Sequence, residues 1–297
     1  MRLVAIVLSW NGREDTLACL ESLSGVETVC VDNGSNDGSP EAIAERFPEV
    51  ELVRAGVNLG FAAGNNVGIR RALARGADWV LLLNNDATAD PRLPAALERA
   101  VAARPDAGVL GCKVYAAEPP DRLEYAGGRV NLWLGHHGRP DGFGRHDDGR
   151  FDVLRDVGRV TGAAMAVSRA AIESAGGLAE ELFAYVEDVE WCLRIRRSGY
   201  AVVFVPEARA WHRGSASTGG AASLANLYYS TRNTIIVCER YRPLPRGFAG
   251  LRRGAIVSAH AVRCVRHPHR SRAVWAVVRG WRDARRGRSG PLPNPFP

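Results

Sequence analysis

Between residues 3 and 114, apolar runs of strand length alternate with segments whose apolar residues recur at helical spacing. Few folds accommodate that order, because consecutive parallel strands need a helical crossover between them. The predicted strands are Leu3–Ser9, Thr28–Val31, Glu51–Arg54, Trp79–Leu83 and Gly108–Val114, and the predicted helices are Glu14–Ser24, Pro40–Arg46, Asn65–Arg75 and Pro91–Ala103. The pattern predicts an α/β fold with a Rossmann-like, mostly parallel sheet flanked by helices.

The composition fits a globular protein and excludes several other classes. With 46% hydrophobic and 24% charged residues, the chain of 297 residues is not broadly disordered. Its apolar runs are shorter than the roughly 20 residues that a spanning helix needs, and the first of them is better explained as a strand than as a signal peptide. The six cysteines are scattered without a CxxC pair, which favours buried thiols in a reducing cytoplasm.

Charge is distributed unevenly along the chain. The segment Arg242–Pro297 holds thirteen arginines and one acid, a net charge of +12, whereas residues 1–241 hold 26 basic and 31 acidic residues. The pattern after Tyr228 is helical, with arginine on most turns. We therefore divide the chain into a domain at 1–240 and an Arg-rich helical extension at 241–297. Such an extension either lies on an anionic membrane surface or packs on the body; nucleic acid is disfavoured because the body is acidic and carries no recognition motif.

The middle of the chain departs from the alternating pattern. Gly135–Gly158 is rich in Gly, His, Arg and Asp and predicts a long surface excursion. An apolar stretch at Val160–Val167 follows it. A helix is predicted at Phe183–Arg197 and a late strand at Ala201–Val205.

Polar clusters follow the first two predicted strands, where the carboxyl ends of parallel strands form a ligand crevice. They are Ser9-Trp10-Asn11 and the run Asp32–Gly38. Asp and Asn side chains accept hydrogen bonds from a base or a ribose, and Gly lets the chain pass close to a ligand. The same residue types are common turn formers, so a plain turn is the favoured explanation when these clusters are taken alone.

A glycine-rich segment, Asn58–Gly68, opens the third predicted helix. A helix start of this kind suits a phosphate or a sugar nucleotide, although the spacing of its glycines also fits helix packing. It is neither a P-loop nor the GxGxxG of a dinucleotide site after the first strand, which disfavours an oxidoreductase. A nucleotidyltransferase is disfavoured because Ser9–Arg13 is a poor match to the Gly-rich loop that such an enzyme needs there.

Two further clusters carry metal-binding residue types. Asn84-Asn85-Asp86 follows the most apolar predicted strand, and a carboxylate beside amides at that position suits Mg²⁺ or Mn²⁺. His212 lies in the cluster Trp211–Ser215 after the last predicted strand, where it can complete a metal or diphosphate site. A turn or a helix cap is the alternative for the first cluster, and a structural histidine for the second.

Three carboxylates lie within four residues in Glu187-Asp188-Val189-Glu190-Trp191. A carboxylate near a helix start in a cleft can act as a general base. The alternative is a solvated acidic first turn, favoured by the helix dipole and followed by arginines at the other end of the helix.

In this order and spacing, the clusters resemble the family 2 glycosyltransferases, which have the GT-A fold, and within them the rhamnosyltransferase-like enzymes. The resemblance runs from about Val4 to about Asn233. Its motifs are Val31-Asp32-Asn33-Gly34-Ser35-x-Asp37-Gly38, Asn58-x-Gly60-Phe61-Ala62-x-Gly64-Asn65-Asn66-x-Gly68, Leu83-Asn84-Asn85-Asp86, Gly162-Ala163, Glu187-Asp188-x-Glu190-Trp191-Cys192-x-Arg194, and His212.

The resemblance implies an inverting glycosyltransferase that moves a sugar, rhamnose by analogy, from a dTDP-, UDP- or GDP-linked donor to a hydroxyl of a glycan or lipid-linked acceptor in cell-envelope polysaccharide synthesis. It implies a cytoplasmic protein, peripheral at the inner face of the plasma membrane. The implied donor-binding residues are Ser9, Trp10, Asn11, Asp32, Asn33, Asn58, Gly60, Asn65, Asn84 and Asn85. The implied acceptor-binding residues are Gly162, Ala163, Glu187, Glu190 and Trp191.

The same resemblance assigns the chemistry. Asp188 matches the catalytic base, and Asp86 and His212 match the residues that hold Mg²⁺ or Mn²⁺. The chain departs from the family's DxD motif by having Asn84 in place of the first Asp, which removes one charge from the metal site. The competing hypothesis is a non-catalytic nucleotide-sugar or glycan-binding module on the same fold. The presence of both Asp86 and Asp188 argues against it, because binding alone needs no base.

Overall fold

The computed structural model describes residues 1–135, 138–214, 223–265 and 267–292. Within these ranges the chain forms ten strands, nine α-helices and one 3₁₀ turn at Glu180–Leu182. The strands are β1 (Leu3–Ser9), β2 (Glu27–Asp32), β3 (Glu51–Arg54), β4 (Trp79–Asn84), β5 (Ala87–Ala89), β6 (Ala107–Ala116), β7 (Leu123–Tyr125), β8 (Arg155–Asp156), β9 (Ala164–Ser168) and β10 (Ala201–His212). The helices are α1 (Arg13–Ser22), α2 (Ser39–Arg46), α3 (Gly60–Ala74), α4 (Leu93–Ala103), α5 (Arg169–Ala175), α6 (Glu187–Arg197), α7 (Leu224–Tyr241), α8 (Arg246–Cys264) and α9 (Arg270–Arg285).

One sheet organises the molecule, in the order β3-β2-β1-β4-β9-β6-β10-β5, with β7 paired to β6 and β8 to β10. The α/β class is confirmed, and the first four strands are parallel as predicted. The other half of the sheet is mixed, because β9 runs antiparallel to both β4 and β6. The chain reaches β9 from β7 through a long excursion whose described residues form no helix, and a helical crossover is what a parallel pairing usually requires.

Helix α3 packs against the buried parallel strands through its glycines. A Cβ at Gly64 would lie 2.5 Å from Cδ1 of Leu8, and one at Gly68 would overlap the side chain of Ile6. These two glycines therefore serve helix packing, which was the alternative reading of their spacing. Ile6 and its neighbours in β1 are fully buried, so this contact belongs to the centre of the hydrophobic core.

The predicted helix at Phe183–Arg197 begins later than expected, at Glu187. Phe183, Tyr185 and Val186 have φ values of 66°, 65° and 73°, in the left-handed region, so a helix cannot run through them. The predicted strand at Ala201–Val205 is longer than expected. A register shift between Val205 and Arg209 accommodates Pro206, and the strand resumes up to His212.

The excursion at 135–158, whose residues 136–137 lie outside the described ranges, is attached to the sheet. Its strand β8 pairs with β10. The fully buried Nζ of Lys113 on β6 bonds carboxylate oxygens of Asp147, at 2.8 Å, and of Asp152. A buried cation with two acidic partners holds this polar segment against the sheet.

The basic C-terminal segment forms helices, as predicted. Helix α9 packs along α7 through Ala273, Ala276 and Val277, whereas α8 contacts both helices and leaves a row of apolar side chains exposed. The proposed boundary at 240 falls at the end of α7. All six cysteines are buried and free, as expected. In the described parts of the chain, every helix is too short or too polar to span a membrane.

Candidate active site

Three parallel strands end side by side at the edge where the sequence predicts a ligand crevice. Ser9 of β1 is paired with Asp32 of β2, and Leu8 is paired with Asn84 of β4. Trp10 and Asn11 follow β1 directly and are half-buried. The strand register thus brings together most of the residues predicted to bind a donor.

Hydrogen bonds hold the loop after β2 against the turn that opens α3. The Asn33 amide donates to Oδ1 of Asn58 at 3.2 Å and accepts from the backbone amide of Leu59 at 2.9 Å. Oδ1 of the buried Asp32 accepts from the backbone amide of Ser35 at 3.1 Å. The loop around Asp32 is therefore rigid, and nearly all of the Asp32 side chain is enclosed.

Asn11 and Asn85 join the loops after β1, β2 and β4. Oδ1 of Asn11 accepts from the backbone amide of Asn36 at 3.0 Å. The Asn85 amide donates to the hydroxyl of Thr16 at 3.0 Å, and that hydroxyl also lies 3.1 Å from the hydroxyl of Ser9. Ser9 is fully enclosed, so it supports the crevice from within rather than lining it.

Gly60, at the start of α3, has a φ of 84° and contacts the loop that precedes α6. A Cβ at this position would lie 2.5 Å from the Phe183 ring, so only glycine fits. Asn65 is buried, and its amide donates to the carbonyl of Phe61 one turn back in the same helix. Asn65 therefore stabilises α3 and offers little surface to a ligand.

Asp86, His212 and Glu124 form a chain of contacts beside Asn84. Oδ1 of Asp86 lies 3.2 Å from Nε2 of His212, and Nδ1 of His212 lies 2.8 Å from Oε2 of Glu124. The Asn84 amide is 3.3 Å from the same Nε2. Burial alone would lower the pKa of His212, but hydrogen bonds to both carboxylates, together with their charges, raise it to about 9.

Sequence reasoning missed Glu124, because it follows no strand end and belongs to no motif. In the fold, β7 carries it to the far side of His212, where it fixes the imidazole orientation. A carboxylate behind a histidine is the usual outer partner of a metal-bound imidazole.

The residues present fit a divalent cation that is shared with a ligand. Among the described residues, no group of three or more His, Cys, Asp or Glu side chains has the arrangement of a complete metal site. A cation would displace the proton of His212 Nε2, and this nitrogen and Oδ1 of Asp86, 3.2 Å apart, would then be its two protein ligands. That distance is close to the separation of about 3 Å expected of adjacent ligands with bonds of about 2.1 Å. Mg²⁺ usually keeps several waters and takes few protein ligands, so two are enough when phosphate oxygens complete the shell.

Asp188, half-buried in the first turn of α6, is held by two backbone amides. Its Oδ2 accepts from Gly162 at 3.0 Å and its Oδ1 from Val189 at 2.7 Å. The next carbonyl along, that of Ala163, accepts from the backbone amide of Asn84 at 3.0 Å. The pair Gly162-Ala163 thus connects Asp188 to the end of β4, and both carboxylate clusters lie at one edge of the sheet.

Glu187 is buried next to Asp188, and its Oε2 has no hydrogen-bond partner within the described ranges. Burial, and secondarily the charge of Asp188, raise the pKa of Glu187 to about 8. Glu187 is therefore mostly protonated at neutral pH. A protonated Glu187 does not repel the neighbouring carboxylate.

Glu190 and Trp191 face the protein interior. Glu190 bonds Arg194 at 2.9 Å and accepts from the Tyr241 hydroxyl at 2.7 Å. The Trp191 ring is fully buried, and its Nε1 donates to the carbonyl of Gly176 at 2.8 Å. Both side chains were predicted to shape the acceptor site; they instead lie on the buried face of α6, where they hold that helix in position.

A mixed α/β sheet of this topology, with carboxylates gathered at the carboxyl ends of its strands, is typical of GT-A glycosyltransferases. Over residues 4–172 the sequence matches the family described as Glycosyl transferase family 2. The chain belongs to glycosyltransferase family 2.

Among curated relatives, the chain is 32% identical over 227 residues to the N-acetylglucosaminyl-diphospho-decaprenol L-rhamnosyltransferase of Mycobacterium tuberculosis, an alignment that covers 69% of this chain and 73% of the relative. It is 26% identical over 236 residues to the low-salt glycan biosynthesis hexosyltransferase Agl10 of Haloferax volcanii, covering 78% of this chain and 73% of that protein.

Solved structures share the fold at low sequence identity. The mannosyltransferase PcManGT of Pyrobaculum calidifontis, in complex with GDP-Man and Mn²⁺, superposes with a TM-score of 0.56 at 18% identity, covering 98% of this chain and 76% of that chain. GalNAc-T7 with UDP, GalNAc and Mn²⁺ gives a TM-score of 0.63 at 14% identity, with coverages of 86% and 54%.

Proposed function

We propose that this glycosyltransferase transfers a sugar from a nucleotide-diphosphate donor to an acceptor hydroxyl, with inversion at the anomeric carbon and with a bound divalent cation. One observation carries the proposal. A carboxylate oriented by two backbone amides, Asp188, shares one sheet edge with the acid–imidazole pair Asp86 and His212, and Gly162-Ala163 connects the two clusters.

Asp86 and His212 are the residues that would hold Mg²⁺ or Mn²⁺, with Glu124 orienting the imidazole. When bound, the cation neutralises the diphosphate that leaves with the nucleotide. Asn84, in place of a second acid, contributes an amide close to His212. The protein would then supply one carboxylate charge to the site, and phosphate oxygens of the donor and waters would supply the other ligands.

Asp188 accepts the proton of the acceptor hydroxyl as that oxygen attacks the anomeric carbon. A single displacement inverts the configuration, whereas retention by double displacement requires a second carboxylate as nucleophile. The neighbouring acids have other partners or no access. Glu187 is enclosed, Glu190 bonds Arg194, and Glu124 bonds His212.

The remaining polar residues at the strand ends would bind the donor. The half-buried Trp10 and Asn11 and the exposed Asn58 would contact its base or ribose, and the buried Asp32 and Asn33 would hold the loop beside them. A non-catalytic sugar-binding module on this fold would have no use for a carboxylate oriented as Asp188 is.

The acceptor and the sugar are proposed by similarity to the two curated relatives. Both are named as glycosyltransferases, one acting on a diphospho-decaprenol-linked sugar with L-rhamnose and one in glycan biosynthesis. We propose a lipid-linked or glycan acceptor in cell-envelope polysaccharide synthesis, and rhamnose as the first sugar to test, with dTDP, UDP or GDP as the nucleotide.

Helix α8 supports a location at the inner face of the membrane. An exposed apolar row runs along one side of it, formed by Phe248, Leu251, Val262 and Val265. Exposed arginines stand near both of its ends, among them Arg242, Arg246, Arg270 and Arg272. An apolar face bordered by arginines suits the headgroup region of an anionic bilayer, where a lipid-linked acceptor would be found.

A donor screen tests the proposed function. The full-length protein is incubated with Mn²⁺ or Mg²⁺, a polyprenyl-diphosphate-linked acceptor and each of several sugar nucleotides, and nucleoside diphosphate release is measured. We expect acceptor-dependent turnover with one donor and, by NMR, a product of inverted anomeric configuration. A product of retained configuration would contradict the single-displacement mechanism, and donor binding without turnover for every pair would favour the binding module.

A further inference from the structure

The segment that leads into α6 has a backbone conformation that its residues rarely adopt. Phe183, Tyr185 and Val186 all have positive φ, and none of them is glycine or asparagine. A positive φ is costly for bulky and β-branched side chains, so other contacts must impose it. Glu187 and Asp188 follow at once, and the amide of Glu190 donates to the carbonyl of Val186 at 2.9 Å in the first turn of the helix.

One side chain of α7 bonds the carbonyls of this strained segment. The amide nitrogen of Asn233 donates to the carbonyl oxygens of Leu182 at 2.9 Å, Ala184 at 2.9 Å and Tyr185 at 2.7 Å. Asn233 is fully buried, so water cannot replace these bonds. Three carbonyls converging on one amide nitrogen fix the path of the chain from Leu182 to Tyr185.

Arg232 fixes the orientation of that amide. Its Nε donates to Oδ1 of Asn233 at 2.9 Å, and its Nη2 donates to the carbonyl of Leu182 at 3.0 Å. The guanidinium lies over the rings of Tyr228 and Tyr229, 5.3 and 4.9 Å from their centroids. The amide therefore presents its nitrogen, and not its oxygen, to the strained segment.

The same segment contacts the proposed donor side of the site. The carbonyl of Phe183 accepts from the amide of Ala62 at 3.2 Å, and the Phe183 ring lies against Gly60. The segment thus lies between the turn that opens α3 and the helix that carries Asp188. A shift in its path would move Asp188 relative to the donor.

We propose that Asn233 is a positioning residue for Asp188. By bonding the carbonyls of residues 182, 184 and 185, it holds the strained backbone from which α6 starts, and so directs Asp188 towards Gly162 and the crevice. The inference rests on the proposed function, in which Asp188 is the base. Asn233 acts at a distance and touches no reactant.

The test is a double-mutant cycle between Asn233→Ala and Asp188→Asn in the full-length protein. Positioning acts through the base, so Asn233→Ala should lower kcat about tenfold or more in the wild-type background and change it little in the Asp188→Asn background. The KM for the donor should stay within about threefold in both. An equal relative loss of kcat in the two backgrounds would overturn the proposal, as would wild-type kcat in the folded Asn233→Ala protein.

Thr234→Val is the matched control. Thr234 is the next residue of α7, is equally enclosed, and has a hydroxyl without a hydrogen-bond partner in the described part of the chain. The control should retain wild-type kcat, and hydrogen exchange of residues 182–188 should rise in Asn233→Ala but not in Thr234→Val. Equal exchange in the two variants would overturn the proposal.

Two further comparisons keep the outcome interpretable. If Asn233→Ala does not fold, Asn233→Ser retains one donor and should give a kcat between those of the wild type and Asp188→Asn, and wild-type kcat in it would again overturn the proposal. Failure of the proposed function looks different. In that case the Asp188→Asn variant keeps wild-type turnover. If Asp188→Asn loses turnover but a folded Asn233 variant does not, only the positioning role is rejected.

Discussion

The two halves of the sheet build their parts of the site by different means. At the ends of β1, β2 and β4, polar residues follow regular parallel strands and are fixed by bonds between adjacent loops. In the part of the chain after β9, the orientation of Asp188 depends on the strained segment that precedes α6. Asn233 holds this segment by hydrogen bonds, and it lies 48 positions after Tyr185, one of the residues that it bonds. The crevice at the strand ends is built from residues whose positions follow from the local sequence pattern. The orientation of Asp188, the proposed base, requires contacts between residues that are distant in sequence.

The largest expected loss of turnover comes from removing the cation that Asp86, after β4, would hold. A bound metal stabilises the leaving diphosphate by several kcal/mol, so excess chelator should reduce turnover by about 10²-fold or more, and Mn²⁺ or Mg²⁺ should restore it. Asp86→Asn should lose a similar share of turnover, measured as nucleoside diphosphate release.

Asp90→Asn is the control for that change, because Asp90 is nearly as buried as Asp86 but bonds Arg92 instead of His212. It should leave the metal requirement unchanged. Full turnover in excess chelator would contradict a metal-dependent mechanism and would make Asp86 a residue that orients the donor.

A smaller effect on the proposed metal site is expected from Glu124→Gln, on β7 in the mixed half of the sheet. The change keeps the shape of the partner of His212 and removes its charge, which weakens the imidazole as a ligand. Outer-shell changes of this kind cost about 10- to 100-fold in metal affinity, so the Mn²⁺ concentration for half-maximal activity should rise by that factor. The exposed pair Asp121 and His146 offers a control, since Asp121→Asn removes a similar carboxylate 2.6 Å from a histidine nitrogen. Equal Mn²⁺ curves for the wild type and Glu124→Gln would exclude the outer-shell role.

A change on α8 tests whether this C-terminal helix binds the membrane surface. Replacing Phe248, Leu251 and Val262 by Gln removes three of the four side chains in the exposed apolar row and leaves every arginine in place. The wild type should float with anionic vesicles, less so at high salt, and the triple variant should lose about tenfold or more in binding. The comparison protein carries Val57→Gln and Val153→Gln, two equally exposed apolar positions elsewhere. Equal flotation of the two variants, or none by the wild type at low salt, would reject the membrane face.

The smallest expected effect is a change in thermal stability that depends on Glu187, the neighbour of Asp188. The pKa of Glu187 rises from 4.5 to about 8 on folding, so the folded protein keeps a proton that the unfolded chain releases. Its contribution to stability is present below about pH 4.5 and is lost as the pH rises to about 8. Glu187→Gln should therefore match the wild type in Tm near pH 4 and exceed it by a few degrees at pH 8. The exposed change Glu14→Gln serves as the control, and parallel Tm curves for the wild type and Glu187→Gln would contradict the shift.

The sequence predicts most of the parallel half of the fold and little of what orients the base. Apolar runs locate β1, β2 and β4, and the polar residues that follow them reach the same edge because parallel strands share a direction. Asn65 and Trp191 are of residue types that bind ligands, but their side chains face inwards. Helical periodicity alone does not show which face of a helix contacts a ligand. The positive φ values of Phe183, Tyr185 and Val186 and the hydrogen bonds from Asn233 leave no local signal, because residues far apart in the chain impose them.

The central claim is that Asp188 is the base that shares one sheet edge with the metal-binding pair. Asp188→Asn keeps the size of the side chain and one of its two backbone hydrogen bonds while removing the basicity, because the amide has a single acceptor oxygen. We expect kcat to fall by about 10²-fold or more, with donor affinity by calorimetry unchanged and with Asp90→Asn at wild-type kcat. Near-normal kcat in Asp188→Asn would contradict the account.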